Sequence, residues 1–139
     1  MGLDMYLNGD KFNFSQERVM VDGFERKSEV LELGYWRKHP DLHGYIVSNF
    51  ADGVDECQPI YMGEENLVAL IEAVENDKLS ETTGFFFGTS YKPGDADEWS
   101  SYEKQKEQDV TKLTRALTWL RAGRDDPDSM RSIQYQASW

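Results

Sequence analysis

The sequence predicts a single α+β domain, with a mixed sheet of about five strands and three helices. Three observations lead there. The 139 residues suit one domain, with no repeat, low-complexity segment or linker among them. Stretches of period-two alternation are interleaved with stretches in which apolar residues return every three or four positions. A content of 39% apolar and 13% aromatic residues is enough for an ordinary core at this length, and too rich for a disordered chain.

Leu3–Leu7 alternates as a first strand, and Asn8-Gly9-Asp10 supplies turn chemistry to end it. The polar stretch Lys11–Ser28 holds a short strand-like piece, Val19–Val21, before Asp22-Gly23, a pair suited to a hairpin. Glu29–Trp36 alternates again and leads straight into a helix. Pro40 fits the first turn of that helix, and Leu42, Ile46 and Phe50 make one stripe. Asp52-Gly53 stops it. Cys57–Met62 reads as an edge strand, because Pro59 cannot donate to a central ladder. Glu64–Asn76 is the clearest helix, with Leu67, Leu70, Ile71 and Val74 on one face and Glu64 and Glu65 at its positive end. Gly84–Gly88 is a short apolar strand and Tyr91–Asp97 a loop. A long helix follows over about Glu98–Ala122, its apolar side formed by Tyr102, Val110, Leu113, Leu117 and Leu120. Ser100 and Glu103 suit a capping box. Ser132–Trp139 alternates Ile133, Tyr135 and Ala137 with Gln134, Gln136 and Ser138, a half-buried last strand.

Charge and composition exclude several classes of function. The net charge is −11, from 26 acidic against 15 basic residues. Direct nucleic-acid binding, which needs a basic footprint, is disfavoured. An acidic decoy that imitates DNA stays open as an alternative, although Lys104 and Lys106 interrupt the row Glu98, Glu103, Glu107, Asp109. The longest apolar run, Leu67–Ile71, is far short of the about 20 residues of a membrane span. The N-terminus has neither a secretory pattern nor a myristoylation signal, since Tyr6 stands where Ser or Thr is required. The single cysteine, Cys57, excludes an internal disulfide. A cytoplasmic protein is the expectation.

The densest group of chemically capable side chains is Tyr35, Trp36, Arg37, Lys38 and His39, followed by His43, Asp55, Glu56 and Cys57. It holds both histidines and the only thiol, and it spans a strand end, a helix N-terminus and a loop. Junctions of this kind expose unpaired backbone N–H groups and often hold ligands. Arg37 and Lys38 would hold an anion, Trp36 would stack or pack, and His43 would exchange a hydrogen bond. Three accounts of the histidines compete. His39 and His43 have the i, i+4 spacing of metal ligands, with Cys57 or Asp55 to complete a set. Alternatively Cys57 is a nucleophile, His43 its base and Asp55 the orienting group. Or Cys57 is a buried apolar residue and His43 a hydrogen-bonded structural one. Trp99 and Trp139, at element ends, are either binding anchors or packing staples. The chain has no GxxxxGK[ST] loop and no GxGxxG, so nucleotide-driven phosphoryl transfer has no support.

Five blocks carry a resemblance: Met-Gly-Leu-Asp-Met-Tyr-Leu at the start, Gly-Tyr-Trp-Arg-Lys before Leu-His, Asp-Gly-Val-Asp-Glu-Cys, Thr-Gly-Phe-Phe-Phe-Gly and the terminal Tyr-Gln-Ala-Ser-Trp. In this order, over nearly the whole chain, they resemble a family of small bacteriophage and prophage proteins. The family pattern maps onto Tyr35–Lys38, His43, Asp52, Gly53, Asp55, Cys57 and Gly84–Gly88, and carries no residue role with it. A phosphoglycerate-kinase label borne by some members has no counterpart in these residues, which are too few for two lobes. The resemblance implies an accessory protein that binds a host protein or an anionic small molecule in the bacterial cytoplasm. The expected site is Tyr35, Trp36, Arg37, Lys38, His43, Asp55 and Cys57, without metal or cofactor. A small hydrolase or transferase using Cys57 and His43 is the alternative from another class.

Overall fold

A computed structural model describes residues 2–14, 19–83, 88, 90–91 and 102–139. The central sheet has four strands: β1 (Asp4–Asn13), β4 (Ser28–Arg37), β5 (Ile60–Tyr61) and β6 (Ser129–Ser138), in the order β4-β1-β6-β5. β2 (Val19–Val21) and β3 (Phe24–Arg26) form a separate two-stranded ribbon. The helices are α1 (Pro40–Phe50), α2 (Glu64–Glu75) and α3 (Tyr102–Ala122), the last followed by a single 3-10 turn at Gly123–Asp125. The α+β class and the three helices are as the sequence predicts. The mixed sheet is not: every pairing among the described residues is antiparallel.

The alternation in β1 and β6 places Leu3, Met5, Leu7, Ile133, Tyr135 and Ala137 on one face, all buried. Leu42 and Ile46 of α1, Leu67 and Leu70 of α2, and Leu113 and Leu117 of α3 join them in one core. Each fully buried Leu or Ile stabilises the fold by about 1.5–3 kcal/mol.

Two boundaries differ from expectation, each for a physical reason. Asn8-Gly9-Asp10 is not a turn; β1 runs through it, paired on both sides with Glu32–Val30 and Gln134–Ser132. Gly9 is there for clearance, since a Cβ on it would lie 2.8 Å from the Trp119 ring and from Leu33 Cδ1. The expected strand Cys57–Met62 shrinks to Ile60–Tyr61. Cys57 has φ +58, outside the extended region, and Pro59 follows. The expected strand over 84–88, most of the loop over 91–97, the start of the last helix and its capping residue Ser100 lie outside the described residues.

The ribbon turn is as expected, with Asp22 at φ +53 and Gly23 at φ +84, the signs of a type I′ hairpin. A side chain at Gly23 meets nothing within 4 Å, so the cost of Gly23→Ala is purely conformational. We expect a loss of about 1 kcal/mol or less from the whole protein, because the ribbon is exposed throughout. Hydrogen exchange of the Val19 to Arg26 amides is the sensitive readout, and faster exchange confined to them is the predicted result.

Candidate functional site

The N-terminus of α1 organises the site. Pro40 occupies the first helical position and has no N–H, so Asp41 carries the first orphan donor of the helix. His39, the N-cap residue, makes no side-chain cap. The capping oxygen comes instead from far along the chain: Ser90 Oγ accepts the Asp41 N–H at 3.1 Å. Asp41 in turn accepts the backbone N–H of Thr82 on Oδ1 at 2.9 Å. Two long-range bonds thus fasten Thr82 and Ser90 to the start of α1.

With its side chain free of capping, His39 bridges two elements. Its Nδ1 lies 2.7 Å from Ser90 Oγ and its Nε2 lies 2.7 Å from Asp109 Oδ2 on α3. The other Asp109 oxygen accepts the indole N–H of Trp36 at 2.8 Å. His39, Ser90 and Asp109 are each 3% exposed or less. The Asp109 carboxylate can only accept, so a proton on His39 Nε2 points to it, as the Trp36 N–H does from the other side.

One turn further along α1, His43 repeats the arrangement with different partners. Tyr135 OH lies 2.6 Å from its Nδ1, and Asp55 Oδ2 lies 3.0 Å from its Nε2. Asp55 Oδ1 accepts the indole N–H of Trp139 at 3.2 Å. Burial, helped by Asp55 and Cys57 nearby, pushes the Tyr135 hydroxyl far above its ordinary value. It therefore stays protonated beside His43. The molecule holds two indole–carboxylate–imidazole–hydroxyl chains, one at the cap of α1 and one a turn further along it.

The expected cluster is thereby divided. Tyr35, Trp36 and Arg37 belong to the His39 side, facing α3. His43, Asp55 and Cys57 belong to the other side, with Tyr135 and Trp139. Cys57 is half-buried, and its carbonyl accepts from Gln136 Nε2 at 2.8 Å. Both nitrogens of His43 are engaged by Asp55 and Tyr135, so His43 has no lone pair directed at the thiol. Lys38 turns away at φ +54, with its side chain lying along Gly88. No group of three or more His, Cys, Asp or Glu is placed to hold a metal among the described residues. His39 and His43 share a helix face by spacing, but each is bound to its own carboxylate.

Between β4 and α3 lies a cleft of about 400 Å³, lined by Tyr35, Trp36, Arg37, His39 and Tyr91 on one side and by Lys104, Gln105, Gln108, Asp109 and Lys112 of α3 on the other. Lys112 Nζ donates to the Tyr35 carbonyl at 2.7 Å and sits 5.0 Å above the Trp36 ring. Arg37 is 3.8 Å from Asp4, whose Oδ1 also accepts the Tyr35 hydroxyl at 2.5 Å. That bond, with some burial, holds the Tyr35 hydroxyl above its usual value. A smaller cavity of about 110 Å³ lies behind His39 and Asp109, with Asp77, Tyr102 and Lys106 on its wall.

Scans against protein-family models, curated proteins and solved structures return no match. The chemistry of the site has to speak for itself.

Sequence reasoning missed Asp109, Ser90, Tyr135 and the α3 lysines. One signal pointed to Asp109. It stands four residues before Leu113 and eight before Leu117, on the apolar stripe of α3, where a carboxylate has to be paired. A buried Trp36 needed an acceptor for its N–H. Ser90, in a segment with no periodicity, gave no signal.

Proposed function

We propose that the chain is an accessory binding protein that holds a small anionic molecule in the cleft between β4 and α3. The observation that carries this reading is a local inversion of charge. On a protein of net charge −11, the described lining of this cleft brings together Arg37, Lys104 and Lys112 with one carboxylate, while Asp4 stands 3.8 Å from Arg37. That carboxylate, Asp109, is already bound by Trp36 and His39. Among the described residues the charge of Lys112 is met by a carbonyl and a ring face, which fixes its position at the cleft. The amides of Gln105 and Gln108 add neutral donors. The volume lies within the about 300–1,000 Å³ of small-molecule sites. The acidity of the remaining surface repels competing polyanions, which favours a compact ligand. This is the kind of task that the resemblance to small phage proteins implies, the capture of a host component.

Two observations weigh against the alternatives. The nucleophile–base pair of Cys57 and His43 lacks a directed nitrogen. The acidic row that would imitate DNA loses Asp109, which is 2% exposed, and Lys104 and Lys106 stand between its members; Glu98 lies outside the described residues. No helix among the described residues is long and apolar enough to cross a membrane.

Titration with inorganic pyrophosphate, followed by calorimetry, tests the reading. Saturable binding is expected, weakened by added salt. Arg37→Gln and Lys112→Gln should each raise Kd about tenfold, the loss of one charge-assisted hydrogen bond. Equal affinity in both variants would place the anion elsewhere and remove the reading.

A further inference from the structure

The two polar chains differ in one respect that matters chemically. The His43 chain ends on Tyr135, which is fully buried in the core, and neither cavity beside α1 is lined by any of its members. The His39 chain separates the two cavities, and His39 and Asp109 line both. It also ends on an aliphatic hydroxyl, which can accept an acyl group.

The members of that chain are held in contact from end to end. The Asp41 N–H occupies one lone pair of Ser90 Oγ. Ser90 Oγ lies 2.7 Å from His39 Nδ1, and the opposite nitrogen is anchored on Asp109 at 2.7 Å. The second Asp109 oxygen is held by Trp36. A hydroxyl within hydrogen-bond reach of an imidazole that is itself oriented by a carboxylate is the geometry of an activated serine. The positive end of the α1 dipole and the Asp41 N–H lower the cost of charge on Oγ.

We propose that Ser90 is an acyl-accepting nucleophile and His39 its general base, with Asp109 and Trp36 as positioning residues, and that the substrates are esters with a short, anionic acyl group. The choice of an anionic substrate rests on the proposed function of the cleft; the assignment of the nucleophile does not. Ser90 Oγ bonds to the ester carbonyl carbon as its proton passes to His39 Nδ1. The bond from that carbon to the leaving oxygen breaks, and the departing alcohol takes the proton from His39. Water then gives a proton to His39 and its oxygen to the acyl carbon. The free acid leaves, and the proton returns to Ser90 Oγ. Because Ser90 is only 3% exposed, the reacting end has to be slim, which sets the acyl length.

The test uses p-nitrophenyl acetate and p-nitrophenyl monosuccinate with the full chain. Both should release p-nitrophenolate with an initial burst, and peptide mapping should find the acyl group on Ser90. Ser90→Ala should abolish the burst. Ser90→Cys, which keeps a nucleophile of similar shape, should retain it as a thioester. His39→Gln should slow acylation about a hundredfold or more. Monosuccinate should react faster than acetate, and Arg37→Gln should level the two. Acylation unaffected by Ser90→Ala, or mapped to another residue, overturns the nucleophile. Acylation of Ser90 without preference for the charged ester overturns the choice of substrate. Pyrophosphate binding is the separate control, since Ser90 lines neither cavity and is reached only past His39 and Asp109: binding that persists while Ser90 stays unlabelled removes this inference alone, and labelling without binding removes the reading of the cleft.

Discussion

Replacing Asp109 with Ala is expected to lower the unfolding free energy by about 3–5 kcal/mol, the cost of breaking a buried, fully engaged polar group. The carboxylate serves two donors on two other elements. Without it the Trp36 N–H and the His39 Nε2–H are stranded at sites with less than a tenth of their surface exposed. Neither can turn to water without unpacking β4 from α3. The loss also spreads: an unanchored His39 no longer holds Ser90, and Ser90 caps α1. Asp109→Asn keeps one acceptor but sets an amide N–H against the other donor, so about 1–3 kcal/mol is expected. Urea titration checks both. The midpoint should fall with the slope unchanged, in the order Asp109, Asn, Ala. An Ala variant within about 1 kcal/mol of the natural chain would mean that the network contributes little.

Gly9→Val is the second large effect, at about 1–3 kcal/mol by overpacking. The first added carbon already meets the Trp119 ring and Leu33 at 2.8 Å, and the branch of Val adds two more. Trp119 is held in turn: the Arg131 guanidinium lies 5.0 Å from its ring and bonds its carbonyl at 2.8 Å. Yielding there costs a cation–π contact as well. Gly9→Ala should follow the same direction with a smaller loss. Thermal unfolding gives the stability, and near-ultraviolet circular dichroism reports the displaced indole. If position 9 were a turn, as its neighbours Asn8 and Asp10 suggest, the change would leave the indole signal unaltered.

That contrast shows where the sequence is informative. The helices were legible because Leu42/Ile46, Leu67/Leu70/Val74 and Leu113/Leu117 repeat at helical steps and are buried as expected. Asp22-Gly23 was legible because hairpin chemistry is local. Asn8-Gly9-Asp10 has the same local chemistry, but β6 and β4 pair along its whole length, and the tertiary ladder prevails over local preference. Within the site, Tyr35, Trp36 and Arg37 were found together because they are consecutive at a strand end. The cluster as a whole was not legible. Residues near in sequence were expected near in space, yet the start of α1 stands between His39 and His43 and gives each a partner that is remote: Asp109 and Ser90 for one, Tyr135 for the other. The lysines that line the cleft come from α3, where alternation with acids read as an ordinary solvated face.

The central claim is that the positive cleft between β4 and α3 is the binding site, and the indole N–H of Trp36 is its nearest spectroscopic witness. In a 15N-resolved titration with pyrophosphate, the Trp36 indole resonance should shift along a saturating curve. The indole of Trp139, bound to Asp55 and outside the lining of the cleft, should stay in place. A shift of Trp139 with Trp36 unmoved, or no shift in either, would contradict the account.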